Sequence, residues 1–220
     1  MFSVPSAVNQ IRVHTVTIVD HPLAAAKLSI LRAKTTRPDE FRRNLQELSI
    51  ILLTDATHAW ETREIEIETP LKKCAGKILA GPVVIVPILR AGLGMIDGMS
   101  RFLPEANVGH IGIYRDEKSL RPTTYFCRLP SELSASQVVL VDPMLATGHS
   151  ACAALELLKK NGAAKIQFIT LVACDAGIQQ VHSQHADVQI ITAAVDPELN
   201  ESGYIVPGLG DAGDRYFGTL

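Results

Sequence analysis

Apolar positions along this chain follow two rhythms, and their order predicts helices first, then an alternation of strands and helices. Leu23, Lys27, Ile30 and Leu31 follow Pro22 at helical spacing. A second helical pattern runs from Pro38 through Phe41, Leu45, Leu48 and Leu52, with Asp39 and Glu40 in the first turn, where the positive helix end favours carboxylates. Glu64 to Glu68 alternates Ile65 and Ile67 with charge, the pattern of a half-exposed strand, whereas Val83 to Val86 is continuously apolar, as in a buried parallel strand. A helix is predicted from about Leu93 to Phe102, strands over Val108 to Tyr114 and Thr123 to Arg128, and a buried strand over Val138 to Val141. From Ser150 a helix follows with Ala151, Ala154, Leu155 and Leu158 on its apolar face. Then come strand Ile166 to Ala173, a helix from Asp175 and strand Val188 to Ala193. This order implies an α/β fold with a mainly parallel central sheet flanked by helices.

Two segments break the alternation. Arg115 to Pro122 is highly charged between strand-like runs, which suits a solvated hairpin more often than a mobile arm over a site. Asp196 to Leu220 carries Gly203, Gly208, Gly210, Gly213 and Gly218 with little periodicity, and an irregular tail of that length is usually functional or frayed.

The chain has 220 residues, an apolar fraction of 47% and a net charge of −2. That suits a single domain over 1–220 with an ample core, and it offers nucleic acid or an anionic membrane no overall attraction. Cys74, Cys127, Cys152 and Cys174 are dispersed and read as reduced packing thiols. The first residues lack the basic segment and apolar core of a secretion signal. The most apolar run, Ile78 to Leu89, is interrupted by Gly81, Pro82 and Pro87, so a cytoplasmic protein that crosses no membrane is expected.

The strongest candidate chemistry lies in Val138 to Ser150, VVLVDPMLATGHS. Thr147, Gly148, His149 and Ser150 sit where strand hands over to helix, and the unpaired N–H groups there favour a phosphate. Asp142 lies at the carboxyl end of the strand, where ligands dock on parallel sheets and where a carboxylate can accept from ribose hydroxyls. From spacing alone, an ordinary turn with Asp142 as a solvated cap fits equally well.

Glycine motifs supply a competing reading. Gly208, Gly210 and Gly213 match G-x-G-x-x-G, but the pattern shows no strand before them and no helix after, so the match reads as a decoy. Gly92, Gly94 and Gly98 do follow a buried strand and enter a helix, with Asp116 beyond, which keeps a nicotinamide-dependent oxidoreductase open. Against it, Pro87, Ile88, Leu89 and Arg90 separate the strand from the first glycine. Arg90 brings a planar fork of donors suited to a diphosphate. The seven histidines form no metalloprotease pattern, and His182 with His185 reads as a solvated helix end.

Together, PILRAGLG (Pro87 to Gly94), YRDE (Tyr114 to Glu117), VDPMLATGHS (Val141 to Ser150) and GYIVPGLGDAGD (Gly203 to Asp214) resemble the uracil phosphoribosyltransferases, as do HPLAAAKLSILR near the start and FGT at the end. The likeness spans nearly the whole chain, leaving residues 1–12 as an extension. It implies a phosphoribosyltransferase-type fold with a C-terminal glycine-rich hood over about residues 196–220. It also implies a pentosyltransferase that converts uracil and 5-phosphoribosyl 1-diphosphate into UMP and diphosphate in pyrimidine salvage, with Mg2+ as cofactor. Matched residue by residue, Asp142, Pro143, Met144, Leu145, Ala146, Thr147, Gly148, His149 and Ser150 would hold the ribose 5-phosphate and ribose hydroxyls. Arg90 and Arg115 would meet the diphosphate. Ile205, Gly210, Asp211 and Ala212 would read uracil, largely through the main chain, and Asp211 would engage the donor and its magnesium. Asp211, Arg115 and Asp142 are the catalytic candidates, and Mg2+ would be held mainly through the diphosphate rather than by a protein cluster. The family further implies a homo-oligomer, a dimer or larger, leaves GTP open as an activator, and uses a flexible arm near Arg115 to Tyr125.

Two departures stand out. His149 occupies a position where the family commonly has a second glycine, and it reads as pointing outward. LTDATH (Leu53 to His58) replaces a stretch that tends to carry a tyrosine and glutamate, which bears on interface details. A purine transferase would share the phosphate loop but lack YIVPGLGDAGD, and an RNA-binding regulator on this fold would need a basic face that the composition does not suggest.

Overall fold

The computed structural model describes residues 16–115 and 122–219. A short strand β1 (Val16–Ile18) precedes helices α1 (Pro22–Arg32) and α2 (Pro38–Ala56), and β2 (Thr62–Glu68) with β3 (Lys73–Leu79) forms an antiparallel hairpin of its own. Then come β4 (Val83–Leu89), α3 (Leu93–Phe102), β5 (Asn107–Val108), β6 (His110–Arg115) and β7 (Pro122–Arg128). The chain continues through β8 (Gln137–Val141), β9 (Met144–Leu145), α4 (His149–Lys160), β10 (Lys165–Cys174), α5 (Asp175–Gln184) and β11 (Gln189–Asp196). It ends in a small hairpin, β12 (Glu198–Leu199) with β13 (Ile205–Val206), and α6 (Ala212–Phe217).

The central sheet has the order β1-β11-β10-β8-β4-β6-β7, parallel throughout except for the antiparallel edge pair β6 and β7. Because successive side chains on a strand point to opposite faces, its continuous apolar runs feed two cores. Val83, Ile85, Val139, Val141, Ile169 and Ile191 face one core with α1, α2 and α3, whereas Val84, Val86, Val138, Leu140, Phe168 and Ile190 face the other with α4 and α5. The expected mainly parallel α/β architecture is therefore the one observed.

Local signals explain the helices that flank the sheet. Pro22 opens α1, with His21 Nδ1 accepting from the Leu23 N–H at 3.1 Å, and Pro38 opens α2 with Asp39 and Glu40 in its first turn. Phe41, Leu45, Leu48 and Leu52 on α2 are fully buried, as their spacing predicts. No helix among the described residues is long and apolar enough to cross a membrane.

Two expectations need correction. Strand β4 extends through Leu89, with Pro87 opposite Val141 and Ile88 opposite Ile111, so Pro87, Ile88 and Leu89 belong to the strand instead of separating it from Gly92. Proline forfeits one donor, which the register tolerates while its neighbours pair normally. Gly208, Gly210 and Gly213 do have a strand before them, β13, and a helix after, α6. A two-residue strand and a six-residue helix are too short to register as a period, and α6 is held by a cap at Asp211 and by burial of Ala212 and Tyr216. β13 pairs antiparallel with β12, so the motif still lacks the βαβ unit that dinucleotide binding requires. The strand expected at Glu64 to Glu68 is present as β2, paired with β3 outside the central sheet; no alternating pattern announces β3. Residues 1–15, including the 1–12 extension, 116–121 and Leu220 lie outside the described residues, and with them most of the charged segment after Arg115 and the Asp116 of the oxidoreductase reading.

Candidate functional site

At the carboxyl ends of the central strands, a cavity of about 440 Å³ is lined by Ala91, Asp142, Met144, Ala146, Ser202, Gly203, Tyr204, Ile205 and Gly210 through Gly213. Its two walls come from distant parts of the chain. One is the loop after β8, the other the segment from β12 to α6.

The sheet supports the first wall directly. The Asp142 N–H donates to Ile169 at 3.2 Å, the Pro143 carbonyl accepts from Leu171 and Val172 at 3.1 and 3.2 Å, and Met144 and Leu145 pair in parallel with Val172 and Ala173. Pro143 and Leu145 are consequently buried in the scaffold, while Asp142, Met144 and Ala146 reach the cavity. The loop then turns into α4 at Gly148, where φ is +80° and a Cβ would lie 2.8 Å from the Gly177 carbonyl oxygen. Only glycine fits there without strain. The left-handed position is Gly148 and not the next residue: His149 is the first residue of α4, exposed, with Nδ1 3.0 Å from Thr147 Oγ1.

The Asp142 carboxyl is pushed up from 3.8 to about 7. Burial is the main cause; the Met144 N–H, at 3.4 Å from Oδ1, pulls the other way, and the Asp211 carboxylate across the cavity adds repulsion. Two carboxylates facing one space favour a ligand that is cationic or rich in hydroxyl donors.

The second wall is short and local. Asn200 Oδ1 accepts from the N–H groups of Ser202 and Tyr204, shaping the turn between β12 and β13. Asp211 caps α6: Oδ1 accepts the Asp214 N–H at 2.9 Å, and Oδ2 lies 3.5 Å from the Tyr204 hydroxyl. Arg90 is exposed beside the cavity, with Nη2 4.0 Å from Asp214 and its guanidinium 5.9 Å from the Phe217 ring centroid. Arg115 ends β6, its backbone opposite Pro122.

The structure thus brings Asp142, Met144, Ala146, Ile205, Gly210, Asp211 and Ala212 to one cavity, with Arg90 at its edge. Thr147, Gly148, His149 and Ser150 lie on the adjoining turn into α4. Sequence reasoning did not single out Ala91, Ser202, Gly203, Tyr204 or Gly213 as site residues. Four of these stand inside quoted motifs, Gly203, Tyr204 and Gly213 in GYIVPGLGDAGD and Ala91 in PILRAGLG, which is the available signal; Ser202 carries none.

Gly92, Gly94 and Gly98 have packing roles. A Cβ at Gly92 would lie 2.7 Å from the Val141 carbonyl oxygen, one at Gly94 2.7 Å from the Tyr216 ring, and one at Gly98 2.4 Å from the Gln46 carbonyl oxygen on α2. These glycines let α3 seat against β8, α6 and α2, which removes the reason to read them as a cofactor turn. Among the described residues no group of three or more His, Cys, Asp or Glu side chains could hold a metal ion.

Comparison with known proteins bears on the family and the fold. A family model described as uracil phosphoribosyltransferase matches residues 18–219. A uracil phosphoribosyltransferase of Clostridium tetani is 52% identical over 205 residues, covering 93% of this chain and 98% of that protein. One from Lactiplantibacillus plantarum is 52% identical over 203 residues, covering 92% and 97%. Among solved structures, the AQ2163 protein from Aquifex aeolicus superposes with a TM-score of 0.88 at 36% identity, covering 92% of this chain and 98% of that one. An adenine phosphoribosyltransferase from Leishmania donovani shares the fold, with a TM-score of 0.57 at 15% identity over 86% of each chain.

Proposed function

The chain belongs to the uracil phosphoribosyltransferase family, and from that premise we propose that the cavity between Asp142 and Asp211 is where 5-phosphoribosyl 1-diphosphate and uracil meet. The enzyme is a pentosyltransferase: a bond forms between uracil N1 and the anomeric carbon, the bond from that carbon to diphosphate breaks, and the N1 proton is released. The observation that carries the site assignment is that Asp142 and Asp211, far apart in sequence, line one cavity and repel each other across it.

The sugar phosphate fits the turn at Thr147 to Ser150, where α4 begins and its first N–H groups are free to donate. Asp142, in its carboxylate form, accepts from the ribose hydroxyls. A donor seated there directs its anomeric carbon toward the C-terminal wall, where the main chain at Ile205, Gly210 and Ala212 meets the base. Uracil presents a carbonyl acceptor beside an N–H donor; cytosine presents the reverse at the first and no N–H at the second. A rigid N–H and C=O pair would be left unpaired by cytosine, so discrimination on the order of several kcal/mol follows.

Departure of diphosphate leaves positive charge on the sugar ring. Asp142 and Asp211 flank that charge, Arg90 stands beside the leaving group, and Arg115 is assigned to it by the family resemblance alone, so catalysis is electrostatic and positional. The residues present suit Mg2+ bound mainly through the donor, because Asp211 commits Oδ1 to its cap and offers Oδ2. The ion, when bound, supplies charge neutralisation on the diphosphate.

Incubation with labelled uracil, phosphoribosyl diphosphate and Mg2+, omitting each in turn, is expected to give UMP only from the complete mixture. Product formed without added metal in the presence of a chelator would defeat the magnesium assignment, and competition by guanine as strong as by unlabelled uracil would defeat the base assignment. The same reading carries a cytoplasmic protein and a homo-oligomer, the latter tested by sedimentation, and leaves GTP activation to be decided by rates with and without the nucleotide.

A further inference from the structure

The C-terminal wall of the cavity is tied to α1 by side chains that do not themselves line the cavity. Arg32, the last residue of α1, donates from Nη1 to Asp196 Oδ2 at 2.6 Å and from Nη2 to Asp196 Oδ1 at 2.7 Å, a two-pronged pair spanning most of the chain. The same Nη1 donates to the Gly208 carbonyl at 2.8 Å, and Asp196 Oδ2 accepts the Gly208 N–H at 2.8 Å. One ion pair therefore holds both polar groups of the Gly208 backbone. That residue needs to be glycine: φ is +53°, and a Cβ would lie 2.2 Å from the Ile205 carbonyl oxygen.

A second arginine grips the next peptide. Arg215, on α6, donates from Nη1 to the Leu209 carbonyl at 2.7 Å and to the Leu31 carbonyl, and from Nη2 to the Ala33 carbonyl at 2.7 Å, with its guanidinium 4.5 Å from the centroid of the Phe41 ring. Peptides 208 and 209 are thus fixed to the end of α1. The residues on either side, Ile205 and Gly210 to Ala212, are left to face the cavity.

A buried ion pair is a weak source of stability compared with an apolar pair of the same volume, because both charges must be desolvated. Asp196 is nearly inaccessible. Burial would raise its pKa, yet the Arg32 hydrogen bonds, the Gly208 N–H and the Arg32 charge hold it below the ordinary value, so it stays ionised. What such a pair supplies well is fixed geometry.

We propose that Arg32 and Asp196 are positioning residues for the pyrimidine: together they set the height and direction of the Ile205 to Ala212 main chain over the Asp142 loop, and with it the choice of uracil over cytosine. The proposal rests on the reading that the base lies against that main chain. Lysine cannot replace Arg32, since one ammonium does not span two carboxylate oxygens and a carbonyl in a fixed fork.

The test is steady-state kinetics of Arg32→Lys and Asp196→Asn, with uracil, cytosine and the donor varied separately. In both variants the uracil KM is expected to rise roughly tenfold, the donor KM to stay within about twofold, and the preference for uracil over cytosine to fall by about tenfold or more. A purely structural role would lower the active fraction, and hence kcat, without moving either KM. A folded variant with unchanged uracil KM and unchanged preference overturns the proposal, as does an equal rise in both KM values. Asp196→Asn preserves volume and keeps the test open should Arg32→Lys fail to fold, and Arg215→Lys offers a third arm with the same expected pattern. Wild-type protein that makes no UMP from uracil overturns the base assignment as well, an outcome distinct from an active wild type whose Arg32 variant keeps its uracil KM.

Discussion

The two walls of the cavity are built on different principles. The Asp142 loop hangs from the middle of a buried parallel sheet: β8 lies between β4 and β10, every residue from Val138 to Val141 is fully buried, and the loop's backbone groups pair with β10. The segment from β12 to α6 has only a two-residue hairpin and a six-residue helix of its own, and it is held by arginine forks, one aspartate cap and a few buried side chains. A wall supported by apolar burial changes with global stability. A wall supported by a handful of polar contacts can lose its shape while the fold survives, so substitutions there should register in substrate selectivity first.

The sharpest break in this contrast is Asp211→Ala. Turnover is expected to fall by roughly 10²–10³-fold, since on the proposed reading a charge facing the reacting centre is lost. The missing cap should cost only about 1 kcal/mol of stability. UMP assays beside thermal melts check both, and near-normal synthesis would remove Asp211 from the mechanism.

Asp142→Asn should act on the other wall in two opposing ways. The free protein holds this carboxyl near pH 7, so the folded state binds its proton more tightly than the unfolded chain. A raised acid pKa means that the favourable contribution is present below about pH 4 and is lost as pH climbs to about 7. The asparagine variant escapes that loss. It should be more stable than wild type by about 2–4 kcal/mol at pH 8, with the gap closing toward pH 4. Donor affinity should meanwhile drop by about tenfold, read by titration calorimetry. A wild-type stability that rises between pH 5 and 7 relative to the variant would contradict the assigned direction.

Gly98→Ala sharpens the comparison from the core side. Its Cβ would be driven to 2.4 Å from the Gln46 carbonyl oxygen, backbone that cannot step aside. A loss of about 1–3 kcal/mol in denaturant unfolding is expected, with both KM values unchanged in the folded fraction. The smallest effect belongs to His149→Gly: with the left-handed turn already supplied by Gly148, the donor KM should change by less than about twofold, and stability should fall by about 0.5–1 kcal/mol because glycine opens α4 less readily. A large change in donor KM would show instead that the His149 ring touches the phosphate.

Much of the scaffold was legible in advance because burial leaves a periodic trace. The α2 stripe of Phe41, Leu45, Leu48 and Leu52, and the apolar runs Val83 to Val86 and Val138 to Val141, announced themselves by pattern and were found buried. Asp142 and the turn at Gly148 were legible as well, since a carboxylate and small residues at a strand end stand out against the apolar run before them. The final helix, the β12 and β13 hairpin and the true end of β4 were not. Those elements are too short for a period, or contain a proline that propensity reads as a break.

By itself, then, the sequence determined the layers: which stretches are apolar on one face, which on both, and where small residues interrupt them, because those properties are local and set by side-chain chemistry. It also carried the motifs that mark the family. Only the tertiary structure decided that Asp142 and Asp211 confront each other, that Gly92, Gly94 and Gly98 are packing surfaces, and that Arg32 reaches Asp196 and Gly208. Those relations join residues separated by much of the chain. Nothing local to either partner encodes the meeting; it follows from the order in which the strands are laid into the sheet.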